Sequence, residues 1–410
     1  MVLFDSLCQA ALESHLAELP ALRALDTTSI VFERAFASSP EASPARASVL
    51  TGLDTAAHGL WTDGVALPER ETTLTAGFAA QGYRSWHVGR RQLAGVSHFT
   101  TEHARAGECH AQDWAHGPAH RSRQNAYLNW LQATAPDIYS SVFPRQPNPD
   151  DTALSAAQHA QLADLPDELS FNVWAGGRAV SHLEAVTTGQ PFFGLIGFVV
   201  GEDRGGAPRS EAGMEALDVR ALRQADLALT SVLAALDAHA VRDNTIVVVT
   251  AGRGNRSARA GHAPMHDDAL NVPLLLGVPG RGGGRVASPV PAFDLAATLY
   301  AVTGVVAPTR LQGVSLLTEP PRGWVLARCR HPLSAHQSAL RTERWKLVVT
   351  HGDGVTESRS CLYDVHADPD ELTDLAPDPA YRDTLEALVD QMIDARVALE
   401  DRTAARVASF

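Results

Sequence analysis

Two uninterrupted apolar runs, residues 190–200 (QPFFGLIGFVV) and 245–250 (TIVVVT), bracket a stretch of helical periodicity. Without polar alternation, each run fits a strand buried on both faces, as in a sheet covered by helices. Between them, Leu222, Ala225, Leu229, Val232, Leu233 and Leu236 share one helical face, and Asp243-Asn244 makes the turn into the second run. Strand, amphipathic helix and strand in this order predict an α/β fold. In such a sheet ligands gather beyond the carboxyl ends of the strands. Those ends carry Gly201-Glu202-Asp203 after the first run and Ala251-Gly252-Arg253-Gly254 after the second. Residues 1–4 read as a very short buried strand ending at Asp5, which equally suits an N-cap for the following helix. Residues 72–86 read as a helix stopped at Gly82 and then a strand, leading into Gly89, Arg90 and Gln92.

Residues 38–52 (SSPEASPARASVLTG) read as a loop entering a helix, with Pro40 and Pro44 as punctuation, Ser43 able to cap, and Arg46 in the first turn. An ordinary capped helix explains this stretch. A helix N-terminus with an added guanidinium also suits an anion.

The spacing of Pro44, Arg46, Leu50, Thr51 and Gly52 resembles the signature of the sulfatases, a branch of the alkaline phosphatase superfamily that includes arylsulfatases and phosphonate monoester hydrolases. The resemblance runs along nearly the whole chain. Asp5-Ser6-Leu7 resembles the family's metal-binding first turn, with Cys8 in place of an Arg. GYRSWHVGRRQLAG resembles the family's Gly-Lys-Trp-His-Leu-Gly, with Arg90 in place of the Lys and Gln92 in place of the His. HGPAHRSRQNAYLNWL resembles a stretch of phosphonate and aryl-sulfate hydrolases. His262 falls near another substrate-contacting Lys, Asp267-Asp268 resembles a common acidic pair, and residues 289–303 and 311–316 resemble a helix and a turn of the family.

The resemblance implies a large mixed central sheet flanked by helices, residues 1–318, and a small C-terminal α+β domain, residues 319–410. In the second domain 341–349 reads as a strand and Leu362-Tyr363-Asp364 as the opening of the next. Leu385, Leu388, Val389, Met392 and Ile393 form the stripe of a terminal helix. The resemblance also implies chemistry that the residues do not repeat. The family's nucleophilic Cys falls on Ala42, which is neither nucleophile nor ligand. Its metal-binding Asp-His pair falls on Gly252 and Arg253, its proton-transferring His on Gln92, and a second substrate-contacting His on the acidic turn at Glu202-Asp203. Of the matched calcium ligands only Asp5 remains, and one carboxylate does not hold a hard cation against water. The expectation is therefore no cofactor and no metal, with the family calcium site lost. Arg253 would take the metal's place beside Asp5, and Arg46, Arg90 and His262 would line a cationic pocket for a sulfate, phosphate or carboxylate group.

The composition fits this frame. At 410 residues the chain is long enough for two domains, and 47 acidic against 34 basic residues, a net charge of −13, argue against a general nucleic-acid binder. Lys346 is the only lysine. The four cysteines, Cys8, Cys109, Cys329 and Cys361, form no CxxC pair. No run is long enough to span a membrane, and with no leader segment recognisable at residues 1–8 a cytoplasmic location is expected. His103, His110, His116 and His120 lie in a Gly- and Pro-containing stretch. Gly117 and Pro118 break the helix on which His116 and His120 would share a metal, and a solvated loop explains them.

Three readings follow. The first is a pseudo-sulfatase with a binding or regulatory role, as a homo-oligomer or paired with an active relative. The second is a hydrolase of sulfate, phosphate or phosphonate esters with rearranged catalysis, for which Ser43 is the candidate nucleophile. The third is an enzyme with new metal-free chemistry, in which His262 or His266 transfers protons.

Overall fold

The computed structural model describes residues 1–90, 93, 108–115, 125–144, 155–201, 219–254, 265–330, 336–352 and 357–400. Fifteen strands run through these residues: β1 (Val2–Ser6), β2 (Ile30–Phe32), β3 (Ala35–Phe36), β4 (Arg84–Gly89), β5 (Ala111–Trp114), β6 (Phe192–Phe198), β7 (Val247–Arg253), β8 (Asn271–Val272), β9 (Leu274–Gly277), β10 (Gly284–Val286), β11 (Val290–Pro291), β12 (Trp324–Cys329), β13 (Gln337–Thr342), β14 (Trp345–Thr350) and β15 (Arg359–Asp364).

Eight of them form the central sheet, in the order β10-β2-β9-β7-β1-β6-β4-β5. Its middle, β7-β1-β6-β4-β5, is parallel, and β9 runs antiparallel to both its neighbours. The sheet is therefore mixed, as the family resemblance implies, and covered by helices, as the apolar runs predict. The pleat shows how it is covered. Phe193 lies level with Ser85 and Gly194 with Trp86, so Phe193 and Trp86 point to opposite faces. On one face Phe78, from the helix Leu74–Ala80, stacks on Phe193 at 4.8 Å and on Tyr300 of the helix Asp294–Thr303 at 5.5 Å. On the other, Trp86 stacks on His182 of the helix Phe171–Glu184, which packs on the long helix Val219–Ala238. Leu222, Ala225, Leu229, Val232 and Leu236 of that long helix are buried as the periodicity predicts, while Leu233 is only half-buried.

Strand β7 is longer than its apolar run. It continues through Ala251-Gly252-Arg253 because β1 keeps pairing beside it, Ser6 against Arg253, and Leu7 donates to the Arg253 carbonyl at 3.0 Å. Asp5 lies inside β1, and Cys8 occupies the N-cap position that Asp5 could have filled.

The C-terminal sheet is antiparallel, in the order β12-β13-β14-β15. Residues 341–349, expected as one strand, contain a hairpin turn. The Thr342 hydroxyl accepts from the Trp345 N–H at 3.0 Å and donates to the Trp345 carbonyl at 3.1 Å, which closes the chain at Glu343-Arg344. Leu362-Tyr363-Asp364 closes β15 rather than opening it. One face of this sheet (Leu326, Leu340, Leu347, Leu362) packs under Leu388, Met392 and Ala395 of the helix Arg382–Ala398. Ile393 of the expected stripe is 53% exposed, so the buried seam is narrower than the apolar pattern. The other face (Val325, Ala327, Ala339, Val348) packs on Phe36, Met265 and Leu270 of the large layer.

Candidate active site at the carboxyl edge of the sheet

The helix Ala42–Thr51 is buried along its whole length and ends at Gly52, whose φ of 69° is the left-handed cap conformation that glycine adopts without strain. Its N-terminus differs from the sequence expectation. Glu41 is the N-cap residue, Ala42 the first helical residue and Ser43 the second, so Ser43 does not cap. The acceptor comes instead from the returning loop, where Asp63 takes the Ser43 N–H at 2.7 Å. A carboxylate at this end also suits the helix dipole. That loop is fixed from below by His58, whose Nδ1 accepts from the Leu60 N–H at 3.0 Å and whose Nε2 lies 2.9 Å from Ser48 Oγ. Burial holds the His58 imidazole down to about 3, so it is neutral at pH 7.

Arg46 is fully buried. Its Nη2 donates to Asp5 Oδ1 at 3.0 Å and its Nη1 to the Arg90 carbonyl at 3.1 Å. Arg90 follows β4 and donates from Nη1 to Asp5 Oδ2 at 2.6 Å. Its position depends on a close approach of two glycines, Gly89 at φ 83° and Gly197 level with it on β6. A Cβ on Gly197 would collide with the Arg90 carbonyl. Both oxygens of Asp5 thus meet a guanidinium. Arg253 ends β7 beside Ser6, is buried, and donates from Nη1 to the Gly254 carbonyl at 3.4 Å. Its charge is felt at Arg46, whose guanidinium is lowered to about 10, chiefly by burial, with Asp5 opposing the fall and Arg90 and Arg253 adding to it. The edge therefore gathers Arg46 and Arg90 on Asp5, with Arg253 close enough to act on Arg46 and with Asp63 and Glu41 at the helix end.

This donor set does not fit a hard divalent cation. Its central carboxylate already carries two charge-assisted hydrogen bonds, Ala42 and Gly252 have no side-chain ligand atom, and Arg253 is itself a cation. Among the described residues no group of three or more His, Cys, Asp or Glu side chains is arranged to hold a metal. The arrangement can hold an oxyanion by charge and by forked N–H donors.

The structure brings Asp5, Ala42, Ser43, Arg46, Arg90, Gly252 and Arg253 to one edge. The guanidiniums placed on Asp5 are those of Arg46 and Arg90, two positions expected at the anion rather than at the carboxylate. His266 is the N-cap of the short helix Asp267–Leu270, and its Nδ1 lies 3.2 Å from Glu371 Oε2, in a cluster that joins the C-terminal sheet to the large layer. Gln92, His262, Glu202, Asp203, His103, His116 and His120 lie outside the described residues. Sequence reasoning missed Asp63 and Glu41. Asp63 carries no periodic signal, because its role depends on a loop turning back onto a helix end. None of Cys8, Cys109, Cys329 and Cys361 is in a disulfide. No helix among the described residues is long and apolar enough to cross a membrane.

The sulfatase family model matches residues 2–305. The chain is 25% identical over 409 residues to the uncharacterized sulfatase YidJ of Escherichia coli (strain K12), covering 89% of this chain and 79% of that protein. It is 23% identical to arylsulfatase K of Homo sapiens, covering 88% and 75%. In fold it is similar to the phosphonate monoester hydrolase SpPMH from Silicibacter pomeroyi, with a TM-score of 0.77, 21% identity and coverage of 98% and 95%. It is also similar to BT1596, a 2-O GAG sulfatase, with a TM-score of 0.69, 17% identity and coverage of 100% and 94%. With the strand order, the helix Ala42–Thr51 at the sheet's carboxyl edge and a family match over most of its length, this chain belongs to the sulfatase family.

Proposed function

We propose that this chain is a sulfatase-family protein that binds a small oxyanion, sulfate, phosphate or carboxylate, without the family's metal-assisted ester hydrolysis, and that it serves a binding or regulatory role. The observation that carries the reading is the pairing of Asp5 with Arg46 at 3.0 Å and Arg90 at 2.6 Å. A carboxylate that a divalent cation would bridge is instead neutralised by guanidiniums from the helix Ala42–Thr51 and from the end of β4. Ala42, at the start of that helix, supports the same reading, because a methyl group can neither attack an ester nor carry an activated hydroxyl.

The test pairs calorimetric titration of sulfate and phosphate with turnover assays on aryl sulfate, aryl phosphate and aryl phosphonate esters, alongside elemental analysis of the purified protein. Anion binding that weakens in Arg90→Met, with no turnover and no stoichiometric calcium, magnesium, manganese or zinc, supports the reading. One tightly held metal per chain together with turnover overturns it. Co-purification with an active relative, or self-association, would identify the regulated partner.

A second reading is favoured by the fold similarity to a phosphonate monoester hydrolase and by the seat of Ser43 at the helix start. It is an ester hydrolase with rearranged residues, and turnover abolished by Ser43→Ala distinguishes it. Proton transfer by His266, which faces Glu371, belongs to the third, metal-free reading, and turnover abolished by His262→Ala or His266→Ala would identify that one.

A further inference from the structure

A second cationic site lies at the end of the C-terminal sheet. The strand register sets it out. Arg328 of β12 lies opposite Ser338 of β13, and Ser338 Oγ is 2.9 Å from His351 Nε2. His336, just before β13, faces His351 just after β14, with ring centroids 4.6 Å apart. Residues two apart share a face of a strand, so Arg328, Ser338, His336 and His351 all point to one side. Trp61 closes the rim with its ring edge-on to His336, 5.7 Å between centroids.

Four polar atoms at this place have no hydrogen-bond partner. Arg328 is buried, its side chain only 8% exposed, and its one ion-pair contact is Nη1 to Asp54 Oδ2 at 3.5 Å. Its Nε and Nη2 are buried without a hydrogen-bond partner, as are Asp54 Oδ1 and His336 Nε2. A buried guanidinium with two idle donors is rare in a folded protein and calls for an acceptor. Asp54, the carboxylate paired with Arg328 among the described residues, is also engaged as the N-cap of the helix Thr55–His58, accepting from the Ala56 N–H at 2.9 Å. Among the described residues, the positive charges felt by the two histidines are those of Arg328, Arg330 and Arg396. Both imidazoles respond. His336 is lowered to about 4 by burial, and then by His351, Arg396, Arg330 and Arg328, and His351 is lowered by burial, Arg396 and Arg328. His336 and His351 are half-buried, and Arg328 is buried.

We propose that this side-chain cluster is a binding site for a small tetrahedral oxyanion, phosphate or sulfate, held by the free donors of Arg328 and by His336 and His351, and separate from the Asp5–Arg46–Arg90 cluster. The ligand supplies the acceptor that Arg328 lacks. Its charge also draws protons onto the imidazoles, so binding is accompanied by proton uptake. Asp54 is the opposing group, and its carboxylate favours ligands that present a protonated oxygen to it.

The experiment is calorimetric titration of the full-length protein with inorganic phosphate, and separately with sulfate, in buffers of differing ionisation enthalpy. The expected result is a phosphate-binding event whose heat changes with the buffer. It weakens at least about tenfold in Arg328→Gln and in the milder, half-buried variant His336→Gln, and it persists in Arg90→Met. Far-UV circular dichroism checks that each variant is folded. Loss of all binding in Arg90→Met with none in His336→Gln would overturn the proposal and leave only the first cluster as an anion site. Absence of phosphate and sulfate binding in the wild-type protein would overturn it as well, and would mean that ordered water satisfies Arg328.

Discussion

The only lysine of the chain is the most informative position to perturb. Lys346 is fully buried on the face of the C-terminal sheet that meets the large layer. Its Nζ donates to Asp267 Oδ1 at 2.7 Å and to Glu371 at 2.9 and 2.8 Å. Arg341 adds a bond from Nε to Asp267 Oδ2 at 3.0 Å, and Glu371 also accepts the Asp267 N–H at 2.9 Å. His266 faces Glu371, and Tyr363 lies beside His266. Lys346→Met keeps the length of the side chain and removes the charge. Breaking a buried pair from one side costs about 3–5 kcal/mol, because the remaining charges stay buried without their partner. The loss should depend on pH, and the sign follows from the two carboxyls. Burial pushes Glu371 up to about 7, with Lys346 opposing. Its folded value lies above its ordinary 4.5, so the stability linked to its proton, about 3 kcal/mol, is full below about pH 4.5 and lost as pH rises through 7. Burial works to raise Asp267 too, but Lys346 and Arg341 overcome it and hold it at about 2, so the stability it contributes is lost only in strong acid. In Lys346→Met, Glu371 must either bury an uncompensated charge at pH 8 or take up a proton there, whereas at pH 5 it is already protonated in both proteins. Urea unfolding followed by circular dichroism should therefore show a loss of about 3–5 kcal/mol at pH 8 and a clearly smaller one at pH 5. A loss below about 1 kcal/mol at pH 8, or one no larger than at pH 5, would refute the reasoning.

Other expectations follow from the same structure. Asp5→Asn leaves Arg46 and Arg90 buried without their carboxylate and should destabilise the fold by about 3 kcal/mol in urea titrations at pH 7, whereas a chelator should leave the wild-type melting temperature unchanged. Ala42→Cys or Ala42→Ser should not produce aryl sulfatase turnover, because Asp5 remains bound to two guanidiniums, and measurable turnover would contradict this. Asp294 is pushed up to about 7, chiefly by burial and against Arg322 and the Val314 N–H. The stability linked to it is present below about pH 4 and lost as pH rises through 7, so Asp294→Asn should flatten the fall in stability between pH 6 and pH 8 seen by thermal denaturation.

The sequence by itself determined the layers of this protein. Continuous apolar runs with no alternation can be buried only in a covered sheet, and the stripe on the helix Val219–Ala238 can be buried only against that sheet or its neighbours. That Ala42 and Gly252 carry no reactive or ligating side chain was equally legible, because it needs no geometry to establish. Tertiary structure decided which charges meet. Asp5, Arg46 and Arg90 are distant in sequence, and they become one ion cluster only because β1 and β4 end at the edge where the helix Ala42–Thr51 begins, with Gly89 and Gly197 letting two backbones close on each other. The hairpin at Glu343-Arg344 and the capping of Ser43 by Asp63 were misread for the same reason, since each depends on one side chain finding a backbone group once the chain has turned back. The burial of Lys346 was not legible at all. A lone lysine in a strand sequence gives no sign of two carboxylates converging on it from Asp267 and Glu371, and only packing the C-terminal sheet on the large layer removes the water that would otherwise solvate all three.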